Sequence, residues 1–221
     1  MNDLYALSFD FWRLFATEEV EVGASTLLAN SKVPLLLSNA AWFPKVDDFQ
    51  RIASWYVERD TVPALIVPAL RDEAFNEALA GSAFVLERSF TFRHLEAPED
   101  SADLISEQVS WAQGRSLGEH LAAHYGLPAY GVALGTAITG AMQRCPKIVC
   151  FAAYGVSGEV AGALVAFEHG DSLGAMMHSG EMESRLYEEA ASRELGAVVL
   201  EPLPEGVSVK GEMSLERWSV R

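Results

Sequence analysis

The segment from Phe151 to Leu195 constrains the fold of this chain more than any other part of its sequence. Two apolar runs flank a turn at Gly155–Gly158, and a third apolar run ends at His178. Alternating runs of this length, separated by a turn that contains glycine, are typical of strands paired in a hairpin. An amphipathic pattern begins at Ser179 and predicts a helix. The segment therefore predicts strand, hairpin, strand and helix in that order.

The rest of the chain also alternates between helical and extended patterns. Gly196 is expected to end the helix that starts at Ser179, because glycine commonly takes the left-handed position after a helix. Mixed helices and strands with several hairpins predict an α+β fold. Further helices are predicted over residues 5–19, 46–60, 72–79, 104–113, 117–125 and 132–142. Strands are predicted over residues 33–37, 40–43, 64–68, 84–93, 148–154, 159–168, 172–178, 197–203 and 216–221.

Charge and composition exclude several classes of protein. The formal net charge of −15 over 221 residues argues against nucleic-acid binding, which depends on Lys and Arg side chains that neutralise phosphates. The same charge either serves solubility alone or attracts an amine or a basic protein. No apolar run approaches the roughly 20 residues of a membrane span, and the N-terminus lacks the basic start of a secretion signal. A soluble, cytoplasmic protein is therefore expected, with no membrane partner.

The order of elements over Phe151–Leu195 resembles the core of the GCN5-related N-acetyltransferases (GNATs). Helix 47–58, strand 64–68, helix 72–79 and strand 84–92 resemble the closing half of the same domain. The resemblance implies a mixed, mostly antiparallel sheet flanked by helices, in two related halves. Residues 1–97 would form an accessory GNAT-like half, residues 98–106 a linker and residues 107–221 a C-terminal GNAT-like domain.

The resemblance also implies acyl transfer from an acyl-CoA, such as acetyl-CoA, to an amine. The strand Leu173–Met177 would hold the pantetheine arm, and backbone N–H groups at the start of the next helix would bind the phosphates. A carboxylate on a neighbouring strand, Glu159 or Glu168, would assist deprotonation of the amine. The residues expected to bind the acyl-CoA are Ala175, Met176, Met177, Ser179, Gly180, Glu181 and Met182.

The sequence departs from the GNAT pattern at the phosphate loop. In the family this helix opens with Arg or Gln, two residues, Gly, one residue, and Gly or Ala. With Leu186 aligned after the loop, His178 takes the Arg/Gln position and Glu181 and Glu183 take the glycine positions. Carboxylates there oppose a pyrophosphate, whereas they suit an ordinary helix start capped by Ser179.

Two interpretations therefore stay open. The first is a GNAT-like acyltransferase with a degenerate CoA loop. The second is a non-catalytic GNAT-fold protein that binds a partner or assembles, with a homodimer as one form. The family also places a proton-donating Tyr after the main helix, whereas no Tyr follows Tyr187 here.

One pair of histidines has the spacing of metal ligands. His120 and His124 lie four residues apart on a predicted helix, with Glu119 beside them. Such a pair binds metal only when a further ligand joins it. No third ligand is identifiable in the sequence, so no metal site is predicted.

Overall fold

A computed structural model describes residues 2–96, 106–180, 182–200 and 209–220 of the chain. Over these residues the chain forms six α-helices and eleven strands in a mixed, mostly antiparallel arrangement, which confirms the predicted fold class. The helices are α1 (Asn2–Arg13), α2 (Phe49–Val57), α3 (Glu73–Ala80), α4 (Gly114–His124), α5 (Gly131–Arg144) and α6 (Glu183–Ser192). The strands are β1 (Glu18–Val22), β2 (Ser25–Ala29), β3 (Ala40–Trp42), β4 (Ala64–Pro68), β5 (Phe84–Leu95), β6 (Ser106–Gln108), β7 (Ile148–Tyr154), β8 (Val160–His169), β9 (Ser172–Ser179), β10 (Gly196–Leu200) and β11 (Val209–Val220).

The chain divides into two compact units, and each contains a segment from the other end of the sequence. The first unit holds Trp12–Thr91 together with β11 from Met213 onwards. The second unit holds Asn2–Phe11 and the described residues between Phe92 and Glu212. The predicted linker 98–106 lies outside the described residues except for Ser106, so this boundary stays a prediction.

The first unit arranges its strands in the order β1–β2–β3–β4–β11–β5. Helix α2 covers this sheet because Phe49, Ile52 and Tyr56 recur at helical spacing and are buried. They pack with apolar residues of β4, α3 and β5 into one core. The strands β3 and β4 are parallel and are connected through α2.

The second unit arranges its strands in the order β5–β10–β9–β8–β7–β6. Strands β7, β8 and β9 form the antiparallel meander that the sequence predicts over Phe151–Ser179. Strands β9 and β10 are parallel and are connected through α6, so each unit contains one strand–helix–strand crossover. Leu186 and Ala190 of α6 are buried in the core that lies against these strands.

Helices α4 and α5 pack closely through glycines. A Cβ at Gly118 of α4 would overlap the backbone of Gly135 in α5, and a Cβ at Gly135 would lie 2.7 Å from the Cα of Arg115. This contact explains why Gly131–Arg144 is helical despite its glycines, because the lost helix propensity is offset by close packing.

Several predicted elements are wrong in type or in extent. Residues 106–108 are a strand and 111–113 a 3-10 helix, where one helix over 104–113 was predicted, because Gln113 closes a capping box with Ser110. Ser179 does not cap a helix; it is the last residue of β9, and α6 begins at Glu183. Gly196 begins β10, and Glu194 instead takes the left-handed conformation with a φ of 61°. The first helix ends at Arg13, and β1 and β2 form a hairpin that was not predicted.

No helix among the described residues is both long and apolar enough to cross a membrane.

Candidate functional site

The described pairing between β9 and β10 covers the first half of β9. Its last parallel pair joins Ala175 to Val199, and β9 continues to Ser179. Strand β10 also pairs with β5 through Val198, Val199 and Leu200. The described part of β10 ends at Leu200, so the chain that would follow it beside Met177–Ser179 lies outside the described residues.

A β-bulge lies in β9 directly after Ala175. Val165 of β8 pairs with Met177 and Ala166 pairs with Ala175, which leaves Met176 as the extra residue in β9. Bulges increase the local twist of the strand that carries them. The bulge at Met176 therefore changes the course of β9 just before His178 and Ser179.

Tyr125 binds the backbone of β9 at His178, near the end of the strand. Its hydroxyl accepts a hydrogen bond from His178 N–H at 3.0 Å and donates one to the carbonyl oxygen of His178 at 3.1 Å. Tyr125 is 40% exposed. Its hydroxyl is nevertheless buried, and this burial raises the pKa of Tyr125 to about 12. Tyr125 follows the last residue of α4, so its ring lies at the surface while the hydroxyl reaches inward.

The side chain of His178 joins β9 to β10. Its Nε2 lies 2.6 Å from the carbonyl oxygen of Leu200, and since a carbonyl only accepts, Nε2 carries the proton. His178 is 5% exposed, and this burial lowers its pKa. The ring is therefore neutral at neutral pH.

Ser179 and His120 form a second polar pair at the end of β9. The Oγ atom of Ser179 lies 2.8 Å from Nε2 of His120 and accepts a hydrogen bond from Ala163 N–H at 3.2 Å. The His120 ring also hydrogen-bonds the backbone of Val160. A ring that donates to a carbonyl at one nitrogen leaves Nε2 as the acceptor of the Ser179 hydroxyl. Burial lowers the pKa of His120, followed by a smaller effect of the nearby His124.

The N-terminus of α6 lies directly after these residues but carries little free positive charge. Arg185, in its first turn, pairs with Glu188 at 3.4 Å and Glu189 at 3.3 Å. Its guanidinium carbon also lies 4.5 Å from the centre of the Phe151 ring. Gly180 has a φ of 70°, and a Cβ there would come within 3.2 Å of the carbonyl oxygen of Ala161.

The predicted binding residues lie together along β9 and the turn to α6. Ala175, Met176 and Met177 are buried in β9, and Met182 is buried where α6 starts. Glu181 lies outside the described residues. The role predicted for this set stays a prediction, and the start of α6 at Glu183 moves the free N–H groups of the helix beyond Ser179 and Gly180.

The two predicted catalytic carboxylates lie at opposite ends of β8. Glu159 precedes the strand and is hydrogen-bonded to Ser157, which lowers the pKa of its carboxyl. Glu168 pairs with Arg193 at 3.3 Å, and its backbone is opposite Leu173. Neither carboxylate therefore lies opposite the end of β9, where His178 and Ser179 pair with Leu164 and Ala163.

Sequence reasoning missed the contacts that His120 and Tyr125 make with β9. The spacing of His120 and His124 was noticed as a metal pattern, but only His120 is turned toward Ser179. No group of three or more His, Cys, Asp or Glu side chains among the described residues could hold a metal ion. Nothing in the sequence around Tyr125 indicates that its hydroxyl reaches β9, because that contact joins residues far apart in the chain.

Comparisons with solved structures identify the fold. A GCN5-related N-acetyltransferase from Kribbella flavida superposes with a TM-score of 0.64 at 11% identity, over 99% of this chain and 95% of that chain. A GCN5-related N-acetyltransferase from Sphaerobacter thermophilus gives a TM-score of 0.53 at 14% identity, over 82% of this chain and 73% of that chain. A functionally unknown conserved protein from Staphylococcus epidermidis gives 0.57 at 11% identity, over 97% and 98% of the two chains.

The chain therefore has the fold of the GCN5-related N-acetyltransferases, as the sequence predicted. No protein-family model matches the sequence. No curated protein sequence matches it either. At this level of sequence identity, function has to be inferred from the residues of the site and not from the fold.

The two ends of an acyl-CoA would meet different surroundings. Its pantetheine arm would approach the end of β9, where the N–H and C=O of His178 are bound by Tyr125. For the phosphate end, the guanidinium of Arg185 is already held by Glu188 and Glu189.

Proposed function

We propose that this protein transfers an acyl group from an acyl thioester to an amine. The observation that carries the proposal is the arrangement at the end of β9 in a chain with this fold, where the bulge at Met176 is followed by Tyr125 on the backbone of His178 and by His120 on Ser179. An extended thioester arm would lie beside this end of β9. The nucleotide end of acetyl-CoA would contribute less to binding than the arm.

His120 is the proposed final proton acceptor for the attacking amine, and it would act through Ser179. It is a base of this site that is neutral at neutral pH, because burial lowers its pKa. One ring nitrogen bonds the Val160 backbone and Nε2 accepts the Ser179 hydroxyl, so the amine would give its proton to Ser179 Oγ as the hydroxyl proton passes to Nε2. A positioned base of this kind typically accelerates proton transfer about 100-fold or more. Glu159 and Glu168 remain the alternative bases predicted from the sequence.

A second candidate function is a GNAT-fold protein that binds a partner without acyl transfer. One observation favours it: the hydroxyl of Tyr125 and the ring of His178 already bind the groups that a thioester arm would need. In that case the polar groups of the site hold the fold together and no thioester enters.

Thiol release during incubation with acetyl-CoA and a panel of primary amines tests the proposal. Release that depends on both the amine and the protein, with an acetylated amine found by mass spectrometry, supports acyl transfer. If no amine is acetylated and millimolar acetyl-CoA or pantetheine neither binds nor shifts the melting temperature, the second candidate replaces the first. The amine panel also identifies the acceptor class, which a negatively charged protein is expected to favour among cations.

A further inference from the structure

We propose that the outer edge of β1, together with the groove between β1 and α2, binds an extended basic segment of a partner protein. The segment would pair with β1 as an additional strand and place Lys or Arg side chains beside the acidic residues of β1. This site lies in the first unit, on residues that the proposed acyl transfer does not use. The inference therefore stands or fails independently of that function.

The position of β1 in the sheet carries the first step. It is the last strand on its side of the described sheet, and its register pairs it with β2 alone, from Glu18 opposite Ala29 to Val22 opposite Ser25. In an antiparallel pair, every second residue of an edge strand directs its N–H and C=O away from its partner. Such an edge is a template for an added strand.

The chain near this edge is described without a long gap. The longest segments outside the described residues, 97–105 and 201–208, adjoin β5, β6, β10 and β11. Of these strands, the nearest to β1 in the first unit is β11, four positions away in the sheet order, or about 19 Å at the usual strand spacing.

The charge of β1 decides which strand can be added. Glu18, Glu19 and Glu21 are three of its five residues, and all three are exposed. A second copy paired antiparallel about Val20 would place Glu19 of each chain opposite Glu21 of the other, and like charges in that position are destabilising. Glu21 accepts a hydrogen bond from the Thr26 hydroxyl at 2.8 Å, and no basic side chain of the described residues pairs with it. The edge therefore fits a basic segment and not a second copy of this chain.

A groove beside this edge provides space for a side chain of the added strand. It is open to solvent, has a volume of about 400 Å³, and is lined by Val22, Gln50, Arg51, Ser54, Trp55 and Glu58. Arg59 lies 3.9 Å from the centre of the Trp55 ring, so this ring already holds one guanidinium. The side chain of Glu58 is 74% exposed. A basic side chain that reaches into the groove would meet both an indole ring and a carboxylate.

Fluorescence anisotropy with three labelled peptides of equal length tests the inference. The first peptide alternates Lys and Val, and the second alternates Glu and Val. The third is the Lys–Val peptide with methylated backbone nitrogens at its Lys residues, which keeps the charge but removes the N–H groups that a strand donates. Wild type should bind the first peptide at least about 10-fold more tightly than either of the others. Equal binding of the methylated peptide would reduce the interaction to charge attraction and overturn the inference.

A pair of charge reversals then locates the binding surface. Glu21→Lys and Glu77→Lys change the net charge equally, and Glu77 is an exposed residue of α3 in the same unit. Glu21→Lys should weaken binding of the Lys–Val peptide about 10-fold, while Glu77→Lys should leave it within about twofold. Equal weakening by both substitutions, or none by Glu21→Lys, contradicts the inference.

Hydrogen exchange of wild type supplies a readout that needs no variant. Exchange of backbone amides within Glu18–Val22 should slow when the Lys–Val peptide is bound, because an added strand protects the outward amides. Unchanged exchange at saturating peptide would exclude strand pairing at this edge. Sedimentation velocity tests the other occupant. A monomer is expected, and a wild-type dimer that the Lys–Val peptide dissociates would assign the edge to a second copy and overturn the inference.

Discussion

His178 connects three elements through three different groups. Its ring binds Leu200 of β10, while its N–H and C=O bind Tyr125 next to α4. A buried residue whose polar groups are all paired is rigid, and breaking any one bond leaves an unsatisfied group.

His120→Gln tests the proposed base at the same scale. If the imidazole accepts the proton of the amine, kcat should fall about 100-fold while the dissociation constant for acetyl-CoA stays within about twofold. His124→Gln, one turn away on the same helix, should retain the wild-type rate.

The pH profile of the wild type supplies a second readout for His120. The base acts when unprotonated, so the contribution of His120 to the rate should be lost on acidification only below a pKa lower than the ordinary value of about 6.5, because burial lowers the pKa of this ring. Protonation of the amine slows wild type and His120→Gln alike, so the ratio of their rates isolates this loss. A ratio that already falls between pH 8 and 7, or that does not change with pH, would contradict the assignment. In that event Glu159→Gln and Glu168→Gln are the next variants to measure.

The residues of the site were only partly predictable from the sequence. The placement of Ala175, Met176 and Met177 on one strand follows from local apolar alternation, which the sequence displays directly. His120 and Tyr125 reach β9 from α4, so their contacts depend on how the helix packs on the sheet. The pattern of residues on a helix predicts which face is buried but not which strand atom a side chain meets.

At the scale of elements, the two strand–helix–strand crossovers differ in the length of their first strand. In the first unit β3 ends at Trp42, and Trp42 is paired with Ile66 of β4. In the second unit β9 continues past Ala175, its last described partner for β10, to Ser179. This longer end carries the bulge at Met176 and the contacts with Tyr125 and His120. The candidate site therefore belongs to the second unit.

Gly118→Ala tests the contact on which the position of α4 depends. The added methyl group would overlap the backbone of Gly135, so the helices must separate, at a cost of about 1–3 kcal/mol in the free energy of unfolding. Urea denaturation measures this change. The same substitution at Gly140 of α5 is the control, because a Cβ there would meet mainly the flexible end of Arg144. Gly140→Ala should be neutral or stabilising by about 0.5 kcal/mol.

Helices and strands were predicted well where a local apolar pattern defines them. They were predicted poorly where capping or strand pairing determines the type of an element or the residue at which it begins. The crossover α2–β4 and the meander β7–β9 lie close to their predicted bounds. The helix over 104–113 was wrong because the bond of Gln113 back to Ser110 favours a tight turn. The start of α6 was wrong because Ser179 is bound by His120 and Ala163, which its sequence context does not reveal. Capping preferences alone cannot distinguish these outcomes.

At the scale of the whole molecule, the net charge of −15 repels an acyl donor that is itself negatively charged. Acetyl-CoA is a polyanion, whereas pantetheine is neutral. Salt screens the repulsion between protein and ligand, with a Debye length of about 10 Å at 0.1 M. Raising NaCl from 20 to 300 mM should therefore tighten acetyl-CoA binding several-fold and leave pantetheine binding unchanged. Weaker binding of acetyl-CoA at high salt would instead reveal an attractive phosphate site.

The stability of the molecule should depend on pH through His120 and His178. Burial lowers the pKa of both rings in the folded protein, while in the unfolded chain each has the ordinary value of about 6.5. Between these values the unfolded chain binds more protons, so the free energy of unfolding falls as pH decreases through about 6.5 and levels off below the folded-state pKa.

Each ring contributes at most about 1.4 kcal/mol per pH unit to this decrease. Urea denaturation between pH 7.5 and 5.5 measures it in a range above the ordinary titration of Glu side chains. His178→Gln keeps an N–H donor for the carbonyl of Leu200 but does not titrate, so its stability should depend less on pH than that of wild type. If the free energy of unfolding of His178→Gln depends on pH as strongly as that of wild type, the His178 ring is protonated in place in the folded protein and contributes nothing to the pH dependence.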